Sequence, residues 1–236
     1  MAGNLIFEKP FVVIHSDEKD VSEICYPENI RKVEFRHYSK NPNPIVFPDS
    51  IVVLDLRINY SLEFVTFPKS LVHLTLGRHF NKDIKGIKFP DGLKTLTFGG
   101  HFNKDIRNLN LPSGLKELVF GFYFNQTIKD ANLPRGLTRL VLGNCFDQPI
   151  KDANLPSSLT YLEFGNWFNQ PIKDANLPSG LKELVFGYCF NQQIKDANLP
   201  SGLTHLTFGG SFDQDTETAN LPTTVRRILI IKPKIN

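Results

Sequence analysis

The chain is poor in the residues that usually announce chemistry: among 236 residues there are three cysteines, one methionine, one tryptophan and six histidines. Cys25, Cys145 and Cys189 form an odd set with no CxxC spacing, which fits a reducing compartment. No run approaches the roughly 18 consecutive apolar residues of a membrane-spanning helix. The apolar stretch at the N-terminus is cut by Glu8, Lys9 and Pro10, which leaves no signal-peptide core. Position 2 is Ala2, where myristoylation needs glycine. An excess of one charge is missing too: 27 Lys and Arg against 24 Asp and Glu give a net charge of +3, and no basic block stands out. That argues against a dedicated nucleic-acid binder. GxSxG, Walker and GxGxxG motifs are absent, as is any Ser-His-Asp ordering, so no catalytic residue, metal ligand or cofactor is assigned. A cytoplasmic chain without membrane or nucleic-acid partners is expected.

What is present is ordinary in bulk and unusual in detail. Hydrophobic residues are 41 % and charged residues 22 %, as in a globular protein, yet there are 20 Phe, 16 Gly and 16 Pro. Such a bias toward one aromatic points to a recurring position, and the recurrence is plain. Phe80, Phe102, Phe124, Phe146, Phe168, Phe190 and Phe212 are evenly spaced, and so are Pro90, Pro112, Pro134, Pro156, Pro178, Pro200 and Pro222. Two degenerate units precede them, marked by Pro27 and Pro48. The apolar pattern L-x-x-L-x-F begins at Ile30, Ile51, Leu71, Leu93, Leu115, Leu137, Leu159, Leu181, Leu203 and Val225. One solenoid of about ten rungs follows.

Within a unit, alternate side chains of Leu115-Lys116-Glu117-Leu118-Val119-Phe120 enter the core, which makes a short strand, and stacked units make a parallel sheet. Gly121 and its equivalents end the strand, either by taking φ > 0 or by letting rungs approach closely. Leu133-Pro134-Arg135-Gly136 reads as a type I turn with proline second. The remaining segment is too short for a helix. The expected fold is therefore mainly β: a right-handed leucine-rich-repeat-like solenoid with a parallel sheet on one face and extended or 3-10 segments on the other. Residues 1–29 form an N-terminal cap in this reading, 30–222 the solenoid (regular from about 71) and 223–236 a C-terminal cap strand.

The Phe-Asn-Gln-Pro-Ile of residues 168–172, the Phe-Asn-Gln-Gln-Ile of 190–194 and the Phe-Gly-x-x-Phe-Asn of 120–125 resemble the FNIP repeat. That is a 22-residue relative of the leucine-rich repeat, found mainly in amoebae and the giant viruses that infect them. The resemblance is strong over about 70–222 and weak over 27–69. It implies a protein-interaction module. Some members carry an N-terminal F-box that recruits a ubiquitin ligase; with some 26 residues ahead of the first rung, its three helices are not expected here.

Asn81, Asn103, Asn125, Asp147, Asn169, Asn191 and Asp213 form a structural ladder in which Asn satisfies backbone groups of an interior turn. Asp147 lacks the amide donors, so looser packing is expected beside it. Asn110, Asn132, Asn154, Asn176, Asn198 and Asn220 would cap the opposite turn in the same way. The Lys129-Asp130, Lys151-Asp152, Lys173-Asp174 and Lys195-Asp196 rows read as a solvated face in which each row compensates the other. His79 and His101 share a column near 5 Å apart, yet no metal-ligand spacing is completed around them. Cys145 and Cys189, two rungs apart, are too distant for a disulfide.

The informative positions are those that change from rung to rung. Outward strand positions and the two that follow the strand-end glycine carry Phe122, Tyr123, Arg139, Tyr161, Glu163, Trp167, Glu183 and Tyr188. Exposed Trp and Tyr are the usual anchors of protein interfaces. These residues are assigned as a partner-binding surface for a protein of unknown identity, with Trp167 and Tyr161 expected side by side on it. The alternative is a self-assembling structural protein that pairs through its terminal strands, for which Ile228-Leu229-Ile230-Ile231 supplies an apolar edge and a homodimer the simplest product.

Overall fold

A computed structural model describes residues 11–16, 26, 28–37, 43–195, 197–216 and 221–231. Thirteen strands occur among them: β1 (Phe11–Ser16), β2 (Lys32–His37), β3 (Ile45–Val46), β4 (Val53–Ile58), β5 (Val65–Thr66), β6 (His73–Leu76), β7 (Thr95–Thr97), β8 (Glu117–Val119), β9 (Arg139–Val141), β10 (Tyr161–Glu163), β11 (Glu183–Val185), β12 (His205–Gly209) and β13 (Arg227–Ile231). All but β3 and β5 join one sheet of eleven strands in the order β1-β2-β4-β6-β7-β8-β9-β10-β11-β12-β13. Every pairing in it is parallel. The expected solenoid is there, with one strand more than the ten rungs. The addition is β1, which lacks the L-x-x-L-x-F signature yet pairs Phe11 to Ser16 with Lys32 to His37.

Register follows from burial. Leu74, Leu96, Leu118, Leu140, Leu162, Leu184 and Leu206 pair in one row, and each is fully buried. A slip of one residue would turn the whole row into solvent. After each of the three-residue strands β7 to β11 the chain turns away at glycine.

Those glycines are required by close approach and not by backbone sign. A Cβ on Gly99, Gly121, Gly143, Gly165, Gly187 or Gly209 would lie 1.9 to 2.3 Å from the preceding rung's glycine carbonyl oxygen. None of the six has a positive φ. Of the two roles expected for this column, the geometry selects the second.

Three tight turns complete a regular rung. In the fifth unit the N–H groups of Phe124, Ala131 and Leu137 donate to the carbonyls of Gly121, Ile128 and Pro134, at 3.2, 3.3 and 3.0 Å. The last of these corrects the expected turn register: proline stands first in the turn, where its carbonyl is the acceptor, and not second. At the glycine position of that turn, Ser158 Oγ donates to the carbonyls of Arg135 and Leu137, and Thr224 Oγ1 to those of Ser201 and Leu203. A hydroxyl therefore replaces glycine by bonding back to the previous rung.

The face opposite the sheet is built from these turns. Among the described residues the single 3-10 helix is Leu62–Phe64, and the single extra strand pair is β3 with β5, both in the degenerate units. Asn132, Asn154, Asn176 and Asn198 take φ between 46 and 50°, the left-handed region that Asn tolerates better than most residues. This column is placed by backbone conformation, which corrects the capping role expected for it; Asn110 does not share the positive φ, and Asn220 lies outside the described residues.

The core is a double file of rings. Phe80, Phe102, Phe124, Phe146, Phe168, Phe190 and Phe212 stack from rung to rung with centroids 6.0 to 6.3 Å apart. In five rungs a strand-end Phe lies on the same-rung ring at 3.8 to 4.0 Å: Phe98 on Phe102, Phe120 on Phe124, Phe164 on Phe168, Phe186 on Phe190 and Phe208 on Phe212. Leu76 and Leu142 take the strand-end place in the other two rungs. Each buried ring contributes about 1.5–3 kcal/mol by burial, so the paired files supply a large share of the driving force in each rung beside the buried Leu and Ile positions.

Candidate functional site: the outward strand face and its glycine groove

The strand alternation that buries the leucine row turns the residues on either side of it outward. On β8 to β11 these are Glu117 and Val119, Arg139 and Val141, Tyr161 and Glu163, and Glu183 and Val185. Their polar groups form a chain across rungs. Arg139 Nε donates to Glu117 Oε1 at 2.9 Å, its Nη2 lies 3.7 Å from Glu163 Oε2, and its guanidinium carbon sits 3.7 Å from the centre of the Tyr161 ring. Tyr161 Oη donates to Glu163 Oε2 at 2.6 Å. Desolvation, followed by that bond to Glu163, raises the Tyr161 hydroxyl above its ordinary pKa. Tyr161 is therefore half-buried and tied to its neighbours, not a free ring beside Trp167.

The strand-end glycines carve a groove beside this chain. It has a volume of roughly 400 Å³ and spans rungs β8 to β12. The floor is the backbone of Gly121, Gly143, Gly165, Gly187 and Gly209 with Val141 and Val185, and Glu163 is the one charged residue in its lining. Phe122 and Tyr188 stand in its walls, 48 and 47 % exposed, with Asn144 and Asn166 on the two rungs between them. The side-chain amides of Asn144 and Asn166 make no hydrogen bond among the described residues.

Tyr123 and Trp167, 50 and 63 % exposed, belong to the next column and do not line the groove. The Phe122 and Tyr123 rings touch at 4.9 Å. Tyr123 also continues an edge-to-face file through His101 at 5.4 Å to His79, whose ring is 5.0 Å from that of His101. No group of three His, Cys, Asp or Glu able to hold a metal ion occurs among the described residues. Cys145 and Cys189 are half-buried free thiols; Cys25 lies outside the described residues.

The eight residues expected to form one surface thus divide. Phe122, Glu163 and Tyr188 line the groove, Tyr123 and Trp167 are exposed in the column outside it, Arg139 and Tyr161 contact each other on the strand face, and Glu183 is exposed on β11 with no ion pair among the described residues. Sequence reasoning missed Asn144 and Asn166 as site residues. The signal was present, since they stand in the column of Phe122 and Tyr188, which varies along the chain.

The asparagine ladder runs along a different edge. The backbone N–H of Asn103 donates to Asn81 Oδ1 at 3.0 Å, and the same bond repeats from Asn125, Asp147, Asn169, Asn191 and Asp213 to the residue one rung earlier at 2.9 to 3.2 Å. The amides of Gln126, Gln148, Gln170, Gln192 and Gln214 donate to the same oxygens. Only an acceptor is needed, so Asp147 accepts from Asn169 and Gln170 at 2.9 and 3.0 Å as well as Asn would. The looser packing expected at Asp147 is absent from this bonding, and the ladder residues are exposed or half-buried where an interior turn was expected. Their backbones turn at the surface between the buried Phe124-type and Ile128-type positions.

On the turn face, Lys129 pairs with Asp152 at 3.4 Å and Lys151 with Asp174 at 3.8 Å, each one rung on, so the two charge rows do compensate. Asp105 accepts two guanidinium hydrogen bonds from Arg107, a bond from the Arg107 backbone N–H and one from Lys85 Nζ, which hold its carboxyl well below the usual carboxylate range. No helix among the described residues is long and apolar enough to cross a membrane.

A parallel sheet of short strands with one leucine row, a buried ring file and an outer ladder defines a leucine-rich-repeat type of solenoid. Residues 80–123, 124–167, 168–211 and 190–232 match the FNIP Repeat, and the chain belongs to that family. Among solved structures it is similar to CroV588, described as a novel circular LRR protein, at 32 % identity and a TM-score of 0.68. That similarity covers 94 % of this chain and 40 % of the other, so this chain spans about two fifths of that protein's length. No curated relative matches.

Proposed function

We propose that the chain is a non-enzymatic interaction module that holds a protein partner against its outward strand face. The observation that carries this reading is the contrast between columns. The leucine row and the phenylalanine files are buried, while Phe122, Tyr123, Trp167 and Tyr188 are 47 to 63 % exposed and lie within four consecutive rungs. Clustered aromatic area of this kind is uncommon on a surface without a partner, and aromatic anchors dominate binding energy where partners meet. Membership of a leucine-rich-repeat-like family supports a scaffold role. The test is affinity capture with the parent chain and with Phe122→Ala/Trp167→Ala/Tyr188→Ala, followed by titration of the captured protein. The variant should bind more weakly by about 2 kcal/mol or more with its thermal midpoint unchanged. Equal affinity would move the interface elsewhere.

A second reading, self-assembly, draws on the sheet's ends. Among the described residues strands β1 and β13 each have one neighbour in the sheet, and an unpaired edge can accept a strand from another copy. Light scattering that gives a monomer mass independent of concentration removes it.

A further inference from the structure

We propose that the glycine groove binds an extended peptide carrying a large apolar side chain and, within about four residues of it, a lysine or arginine. This rests on the reading of the strand face as an interaction surface and names the chemistry of what occupies it.

Three features point to a peptide. The floor is main chain at Gly121, Gly143, Gly165, Gly187 and Gly209, where the place of each missing Cβ is filled by the preceding rung's carbonyl, so these positions raise no side chain into the groove against an incoming backbone. Phe122 and Tyr188 stand three rungs apart, about 14 Å at ~4.8 Å per rung, which about four residues of extended chain span at ~3.3 Å each. Between these walls, Asn144 and Asn166 present amides that make no hydrogen bond among the described residues. Each offers two donors and an acceptor, the complement of an extended peptide's exposed N–H and C=O groups. A small apolar molecule would fill the walls and leave both amides unmatched.

Charge supplies the basic residue. Glu163 is the only charged group in the lining. One of its oxygens, Oε2, accepts from Tyr161 and faces Arg139 at 3.7 Å, which leaves Oε1 for a ligand. Glu117, Glu163 and Glu183 give the face three carboxylates against the one guanidinium of Arg139, and Arg139 is already bonded to Glu117. The nearby Lys116 and Lys182 ammonium groups donate to the turn carbonyls of Gly136 and Gly202, at the far end of their strands. The balance left in the groove is negative, and it repels an acidic segment.

A random dodecapeptide display library panned against the full chain tests this. Enriched sequences should share a large apolar residue with Lys or Arg close by. A synthetic copy of the most enriched sequence, labelled with fluorescein, should bind Glu163→Gln about tenfold or more weakly, and Phe122→Ala/Tyr188→Ala likewise. Glu163→Gln keeps the oxygen that accepts the Tyr161 hydroxyl, so folding is preserved. Glu183→Gln, on the exposed neighbouring rung, provides a second charge deletion and should weaken binding by a smaller factor. Binding of the parent should also fall with added salt. Enrichment of acidic or purely apolar peptides, affinity unchanged in Glu163→Gln, or no enrichment at all overturns the assignment. The interface reading would survive any of these if the triple aromatic variant still lost its captured protein, so the two failures are distinguishable.

Discussion

The two ends of the solenoid are built from similar residues and solve packing differently. In the regular rungs, Phe rings lie nearly parallel, with interplanar angles of 4 to 7° for the pairs Phe98–Phe120, Phe102–Phe124 and Phe190–Phe212. In the degenerate rungs, Phe35 meets Phe47 at 89°, and Tyr60 meets both His37 and Phe64 at 79°. Translation by one rung repeats a rotamer, so identical residues must stack; unlike residues are free to meet edge to face, which the ring quadrupole prefers. The degenerate part also buries polar groups. His37 Nδ1 and Tyr60 Oη are 2.8 Å apart in the core, and Glu34, 7 % exposed, is paired with Arg36 and Arg57. Strand length follows the same divide: β2 and β4 run six residues without a strand-end glycine, whereas β7 to β11 stop after three. Exact repetition thus produces an apolar, stacked core with short strands, and its loss permits longer strands and buried polar pairs.

The comparison can be broken at its strongest point first. Phe168 touches Phe146, Phe164, Phe186 and Phe190, so Phe168→Ala should cost about 3–5 kcal/mol in denaturant unfolding. A much smaller loss would mean that the ring file is not what holds the rungs together.

Alkaline titration sharpens the divide from the other end. Burial pushes the Tyr26 hydroxyl up to about 12, and burial with the neighbouring Tyr26 raises Tyr60 further. The Tyr26 oxygen is buried with no hydrogen-bond partner among the described residues. Because the folded pKa values exceed the unfolded value near 10, the unfolded chain loses these protons first as pH rises. The stabilisation is complete below pH ~10 and is lost as pH climbs toward the folded values. Unfolding midpoints should fall between pH 10 and 12, and the fall should shrink in Tyr26→Phe. An unchanged slope in that variant would remove Tyr26 from the account.

The ladder should respond least. Asn169→Ala removes an acceptor used by two donors and should cost about 1 kcal/mol, whereas Asn169→Asp keeps it and should stay within about 0.5 kcal/mol. Lys173→Ala, on the solvated turn face, should also fall within about 0.5 kcal/mol. Equal losses for the two Asn169 variants would show that the amide donors matter after all.

Where the sequence repeats, the fold was legible, because a fixed spacing states both periodicity and register. The leucine row, the phenylalanine file and the ladder column are all visible as letters. What was not legible depends on distance between rungs or on atoms within a turn. The glycine column could serve φ or close approach, and only the carbonyl lying where a Cβ would go decides. Proline's place in the turn hung on which carbonyl accepts. Strand β1 was hidden because its apolar residues follow Glu8-Lys9-Pro10 and no repeat signature marks them. At the site, exposure of Phe122, Tyr123, Trp167 and Tyr188 followed from the column pattern. The capture of Tyr161 by Arg139 and Glu163 did not, since it needs the side chains of two rungs at once.

The claim at the centre of this account is that the repeating columns hold the chain together and the outward columns of the middle rungs do the binding. Hydrogen–deuterium exchange on the chain, free and with its captured partner bound, tests this most directly. The account predicts slowed exchange of the amides that follow the strand-end glycines, at Phe122 and Tyr123, Asn144 and Cys145, Asn166 and Trp167, and Tyr188 and Cys189. Amides around Lys129, Lys151 and Lys173 on the turn face should be unchanged. New protection confined to the turn face, or to β1 and β13 at the sheet's edges, would contradict it.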